Sequence, residues 1–143
     1  MAHAENDIVI ERSPHDVYAF LADGLNNPLW RKGVKSIRLR EGTAGQLGAV
    51  YAQTLTGPGG RAIDGDYRIT QADPGRKLEF AVIAGPARPT GRYTLSPEGT
   101  GTRLTFALDY APTGLMRLMS AIIAKTMADE VAQLTKLKHV LES

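Results

Sequence analysis

Between Val34 and Tyr110 the chain is punctuated by turn clusters: EGTAG, GPGG, ADPG, AGPARP and PEGTG. They recur roughly every ten residues, which is the signature of an antiparallel meander of short strands. The intervening segments alternate. In DGDYRITQ, Gly65, Tyr67 and Ile69 share one face, and Asp66, Arg68 and Thr70 share the other. Leu78, Phe80 and Val82 fall together, as do Tyr93 and Leu95, and then Leu104, Phe106, Leu108 and Tyr110. Such alternation means a sheet with one face covered and one face wet.

Something must cover that face. Upstream lies a β-branched run, Asp7 to Glu11, that reads as a first strand. It is followed by a short helix with Ser13 at the N-cap, Pro14 at the first helical position and Asp16 three residues after the cap. GLNNPLWRKG reads as a second short helix or turn, with Pro28 able to open it and Gly33 able to close it. Only the C-terminal segment is long enough to cover a sheet. From a cap at Thr113 onward it holds no proline, and no glycine after Gly114. Apolar residues recur at Leu115, Met119, Ile122, Ile123, Met127, Leu134, Leu137 and Leu141, which is helical spacing over about seven turns. The expected architecture is a single α+β domain over residues 1–143. A seven-stranded antiparallel curved sheet grips one long C-terminal helix, and a pocket can form between them.

Charge and residue usage exclude several functions. A formal net charge of +2 without any basic run gives no support for nucleic-acid binding. The absence of cysteine removes disulfides, thiolate catalysis and Cys-based metal sites. His3, His15 and His139 have no ligand spacing, so neither a metal nor a cofactor is expected. His3 is expected in a frayed terminus, and GPGGR (Gly57 to Arg61) in a hairpin turn. The first residues show no signal-peptide pattern, and no apolar run approaches the ~20 residues that span a bilayer. The expectation is a cytoplasmic protein without an integral membrane segment.

IERSPHDVYAFLAD, NNPLW, GRYTLSPEGTGTRLTFAL and the final LTKLKHVLE, in this order, resemble the START-like, or SRPBCC, superfamily. Within it the chain is most similar to the polyketide cyclase/dehydrase branch, which shares the helix-grip fold of the birch pollen allergen (Bet v 1-like). The resemblance implies a hydrophobic cavity between sheet and helix, and members that bind or transport lipids, sterols, quinones or polyketides or catalyse cyclisation or dehydration. These motifs mark fold and packing. No universal catalytic residue carries over, so the catalytic residues stay unknown.

The candidate ligand-binding residues follow from the covered faces. Trp30, the only tryptophan, either gates the cavity mouth or anchors the short second helix. Tyr51, Tyr67, Phe80, Tyr93, Phe106 and Tyr110 lie on strands and offer a partly polar aromatic lining, or plain core. Met119, Ile122, Ile123 and Thr126 lie on the helix that faces them. Glu130 falls in the middle of that helix's apolar stripe, where a carboxylate is costly unless paired. It is a buried base or hydrogen-bond acceptor with a raised pKa, an ion-pair partner or a rim residue, or the sign of a kinked or rotated helix. The leading functional reading is binding of a small hydrophobic lipid- or polyketide-like molecule, as carrier or sensor. The alternatives are a cyclase or dehydratase acting on a polyketide-like substrate and a protein-interaction module. The oligomeric state is not legible.

Overall fold

Residues Gly101–Tyr110 form the longest strand, β8, and the sheet is built outward from it. The computed structural model describes residues 2–143. In chain order the strands are β1 (Ala2–Ile10), β2 (Val34–Glu41), β3 (Val50–Thr56), β4 (Ala62–Asp64), β5 (Tyr67–Asp73), β6 (Lys77–Val82), β7 (Thr90–Glu98) and β8. The sheet runs β1-β8-β7-β6-β5-β3-β2, entirely antiparallel, with the three-residue β4 paired to β3 beside this path. The seven-stranded path is the one expected, and β4 is the addition. The first strand is longer than expected and begins at Ala2, so His3 is not frayed. It pairs opposite Asp109, and its Nδ1 lies 2.6 Å from the Asp109 carboxylate.

Helix α1 (Pro14–Ala22) starts as its sequence dictates. The Ser13 Oγ accepts from the Asp16 N–H at 3.1 Å, and Val17 and Leu21 are buried. A 3₁₀ turn, Gly24–Leu29, follows with Pro28 inside it, and delivers Trp30 and Arg31 into the interior. Among the described residues no helix is long and apolar enough to cross a membrane.

The C-terminal segment departs from expectation. It is a 3₁₀ turn, Gly114–Met119, then α2 (Ser120–Ala132), then α3 (Leu134–Glu142). Thr113 occupies the N-cap but makes no side-chain capping bond. The break falls at Gln133, where neither glycine nor proline stands, and hydrogen bonding explains it. The Asn6 amide donates to the Val131 carbonyl at 3.1 Å. The Gln133 Oε1 accepts from the Lys32 N–H at 2.8 Å. The Gln133 N–H closes onto Glu130 O in a tighter turn. Side chains that take up helix-end carbonyls in this way kink a helix. The six-residue 3₁₀ turn also winds at about 120° per residue rather than about 100°, which shifts the apolar stripe by about a third of a turn.

The consequence is an uneven grip. Leu134 and Leu137 of α3 are fully buried, and Lys138 donates to the Val9 carbonyl of β1 at 2.7 Å. Met127 and Val131 are the buried residues of α2. Upstream, Leu115 and Leu118 are 82% and 83% exposed, Ile122 51% and Met119 37%. Leu137→Ala should therefore cost about 2–5 kcal/mol in urea unfolding, as full core truncations do. Leu115→Ala should stay within about 0.5 kcal/mol of the wild type. Equal losses would mean that the upstream turn packs like α3.

Candidate functional site

The inner face carries a row of rings set by strand register. Tyr51 pairs directly with Tyr67 across β3 and β5, and the rings stack at 5.3 Å. Tyr67 meets Phe80 diagonally at 5.4 Å, and Phe80 meets Tyr93 at 6.0 Å. Tyr93 pairs directly with Phe106 across β7 and β8 and stacks at 4.5 Å. Trp30 sets its edge against Tyr93 at 6.4 Å and against Phe106 at 6.1 Å. Phe80 has Gly91 opposite it on β7, and a Cβ there would collide with the ring. Glycine is what lets the ring lie flat across the neighbouring strand. Gly24 similarly lies against Tyr67 and Tyr51.

Tyr110, at the end of β8, is also buried, but it joins none of these ring contacts. Ile123 is half-buried against the core. Met119, Ile122 and Thr126 do not face the interior as expected. They ride on the outward-turned upstream part of the segment, and the Thr126 hydroxyl donates back to the Ile122 carbonyl at 3.0 Å. The expected cavity is also corrected. The rings and Trp30 fill the space, leaving a cavity of about 10 Å³ bordered by Leu21, Asn27, Arg31, Tyr67, Phe80 and Tyr93. A larger cleft of about 320 Å³ runs along β2, β3 and β4, and none of its lining residues belongs to α2 or the ring row.

Polar groups gather at one end of the row. The Arg31 Nε donates to the Glu130 carboxylate at 2.9 Å, tying the 3₁₀ turn to α2. Burial alone would pull the guanidinium's pKa down, but the Glu130 charge, with lesser help from Tyr93 and Tyr67, holds it above its ordinary value. Glu130 thus forms an ion pair, with 19% of its side chain still exposed. The Asn27 amide donates to Gln53 Oε1 at 3.1 Å and to the Tyr67 hydroxyl oxygen at 3.0 Å, and Gln53 in turn donates to the Gly65 carbonyl. Burial pushes the Tyr67 phenol far up, with Asn27 and Arg31 pulling part of the way back. Burial pushes Tyr93 up as well, opposed chiefly by Arg31. Both phenols stay protonated, so each keeps an O–H that can donate. The Trp30 Nε1 is buried without a partner among the described residues. No group of three or more His, Cys, Asp or Glu side chains able to hold a metal occurs among them either.

Arg31, Asn27 and Gln53 were not legible as site residues. The one signal was indirect: an acid in the middle of an apolar stripe demands a cation, but the sequence offers many arginines and lysines and no rule to choose among them.

The sequence matches, over residues 1–142, the family described as polyketide cyclase / dehydrase and lipid transport. A comparison with curated proteins finds no match. Among solved structures, protein TTHA0849 of Thermus thermophilus is 23% identical, with 96% of this chain and 94% of that chain covered and a TM-score of 0.75. Ara h 8.0201 is 15% identical, covering 99% and 98%, with a TM-score of 0.68. Major latex-like protein 151 of Panax ginseng is 14% identical, covering 93% and 97%, with a TM-score of 0.63. At these identities the structures share the helix-grip fold with this chain. With a family match over all but its last residue, the chain belongs to the polyketide cyclase / dehydrase and lipid transport family.

Proposed function

We propose that this chain binds a small hydrophobic molecule, lipid- or polyketide-like, between the aromatic face of the sheet and α2, as a carrier or sensor. The observation that carries this reading is the upstream roof. Leu115 and Leu118 lie largely in water and Ile122 and Met119 in part, while the cavity beside the row of rings is closed to about 10 Å³. Below Gln133, α3 is held to β1 by its leucines and Lys138. Upstream of Met127 no residue of the roof is buried, so this part is the one able to lift. A ligand inserted beneath it gives the exposed side chains apolar surface to cover, at about 25 cal/mol per Å². Met119 and Met127 are flexible enough to adapt to its shape. The family description, which names lipid transport, supports the same reading.

Trp30 is the only tryptophan and touches both Tyr93 and Phe106, so it is a built-in reporter. Native mass spectrometry of gently purified protein should show a retained small molecule. Titration with medium-chain alkyl compounds should change Trp30 emission saturably. If the protein flies bare and Trp30 responds to none of them, the reading fails. Were the exposed leucines a protein-docking patch instead, Leu118→Ser would abolish a partner complex on size exclusion and leave ligand titrations unchanged.

A cyclase or dehydratase is the second reading. It is favoured by the Glu130 carboxylate and the Tyr93 and Tyr67 hydroxyls gathered around Arg31. In it Glu130 takes a proton while the phenols donate to the developing enolate oxygen. Glu130→Gln would then cut turnover of a poly-β-keto substrate by about 10²-fold or more. Unchanged turnover removes Glu130 as the base.

A further inference from the structure

The polar end of the interior is unbalanced. Arg31 is 9% exposed and borders the small cavity. One of its five guanidinium N–H groups is engaged by Glu130, through Nε. The Nη edge of the fork makes no hydrogen bond among the described residues. The Tyr67 oxygen accepts from Asn27, but its own hydrogen goes to no acceptor. The Tyr93 hydroxyl makes no hydrogen bond among them either, and the residue is 4% exposed. All three groups border the same cavity. On the accepting side, Gln53 Oε1 already takes the Asn27 amide, which leaves the Asn27 carbonyl oxygen and the two phenol oxygens as the side-chain acceptors at the cavity. Free donors therefore outnumber free acceptors at this cavity, and a ligand oxygen there would take up N–H and O–H groups that no protein acceptor satisfies. The free edge of a guanidinium presents two parallel N–H groups, a spacing that matches paired oxygens.

We infer that Arg31, Tyr67 and Tyr93 form the head-group site of the hydrophobic ligand and select a head with paired acceptor oxygens, a carboxylate or a 1,3-dicarbonyl, against an amine or a lone hydroxyl. This inference rests on the ligand-binding reading above and names the class of ligand. The head seats on the Nη edge of Arg31 while Glu130 keeps Nε, so the pair that ties the turn to α2 survives binding. The phenols each donate to a head-group oxygen. An ammonium head finds only neutral acceptors, the Asn27 carbonyl and the phenol oxygens, and meets the Arg31 charge, so the site rejects it. The apolar tail runs along the row of rings toward Phe106.

The test uses the full chain and four probes of equal alkyl length that differ only at the head: carboxylate, 1,3-diketone, primary alcohol and primary amine. Binding is read from Trp30 emission and checked by calorimetry. The wild type should bind the carboxylate or the diketone at least about tenfold more tightly than the alcohol and the amine. Which of the two leads distinguishes an anionic head from a neutral one. Tyr93→Phe, which deletes one hydroxyl and keeps the ring, should weaken the favoured head by about 3- to 10-fold and leave the alcohol unchanged. Arg31→Met combined with Glu130→Leu removes both charges together, so no unpaired carboxylate is left to unfold the protein. It should erase the discrimination while retaining alkyl binding. Equal binding of all four heads, or tightest binding of the amine or alcohol, overturns the inference and leaves the ligand-binding reading standing. Failure of every probe overturns both.

Discussion

The fold rests on cross-strand register. A one-residue slip in any strand would send its ring to the wet face, because side chains alternate with a period of two. The observed register places Tyr51 opposite Tyr67 and Tyr93 opposite Phe106, with Phe80 bridging the two stacked pairs across Gly91. Each ring contact adds about 0.5–1.5 kcal/mol beyond its buried area. Together they make the inner face of five strands one continuous surface, which fixes the sheet's curvature and fills the volume beneath the helix. The same row explains the small interior cavity: the space under the grip is occupied by the sheet's own aromatic side chains and by Trp30.

Against that surface a buried charge needs a partner, and the Arg31–Glu130 pair supplies it. The pair joins elements 99 residues apart in sequence. Lys32 and Gln133 reinforce it from the next positions, so the 3₁₀ turn and the α2–α3 joint are fastened at one place. Removing either charge alone would strand the other, at a cost of about 3–5 kcal/mol for a fully buried pair and less here because Glu130 keeps some contact with water. The fastening lies at the downstream end of α2. It fixes where the roof is anchored and leaves free the part that carries Leu115 and Leu118.

Most of the sheet was legible because it is written locally. The turn clusters mark the strand ends, and alternation marks which residues point inward, so Tyr67, Phe80, Tyr93 and Phe106 could each be placed from their own neighbours. The Ser13 cap was legible for the same reason. The helix break was not, since the residues that cause it come from elsewhere: Asn6 from the first strand and Lys32 from the loop before β2. Periodicity carried unbroken through Gln133 gives one long stripe that would put Met119, Ile122 and Thr126 inside, whereas the broken segment turns them outward. Glu130 stands out in the sequence by its place in the apolar stripe, but its partner, Arg31, comes from a turn 99 residues away.

The distribution of anchoring has a functional logic of its own. Under the proposed reading as a carrier, the chain would have to hold its ligand's polar end firmly and still let the apolar end pass. Here the rigid groups and the free groups are segregated along the same helix. Arg31, Tyr67 and Tyr93 sit on the strands and the turn and are held by packing on all sides. The turn Gly114–Met119 and the first turns of α2 hold no buried residue. Opening the roof exposes little that is not already exposed, so its cost is low, whereas opening the head-group end would break the ion pair and the Lys32–Gln133 bond together. For the ligand proposed above, entry from the upstream side, tail last, is the route that this difference in cost would select.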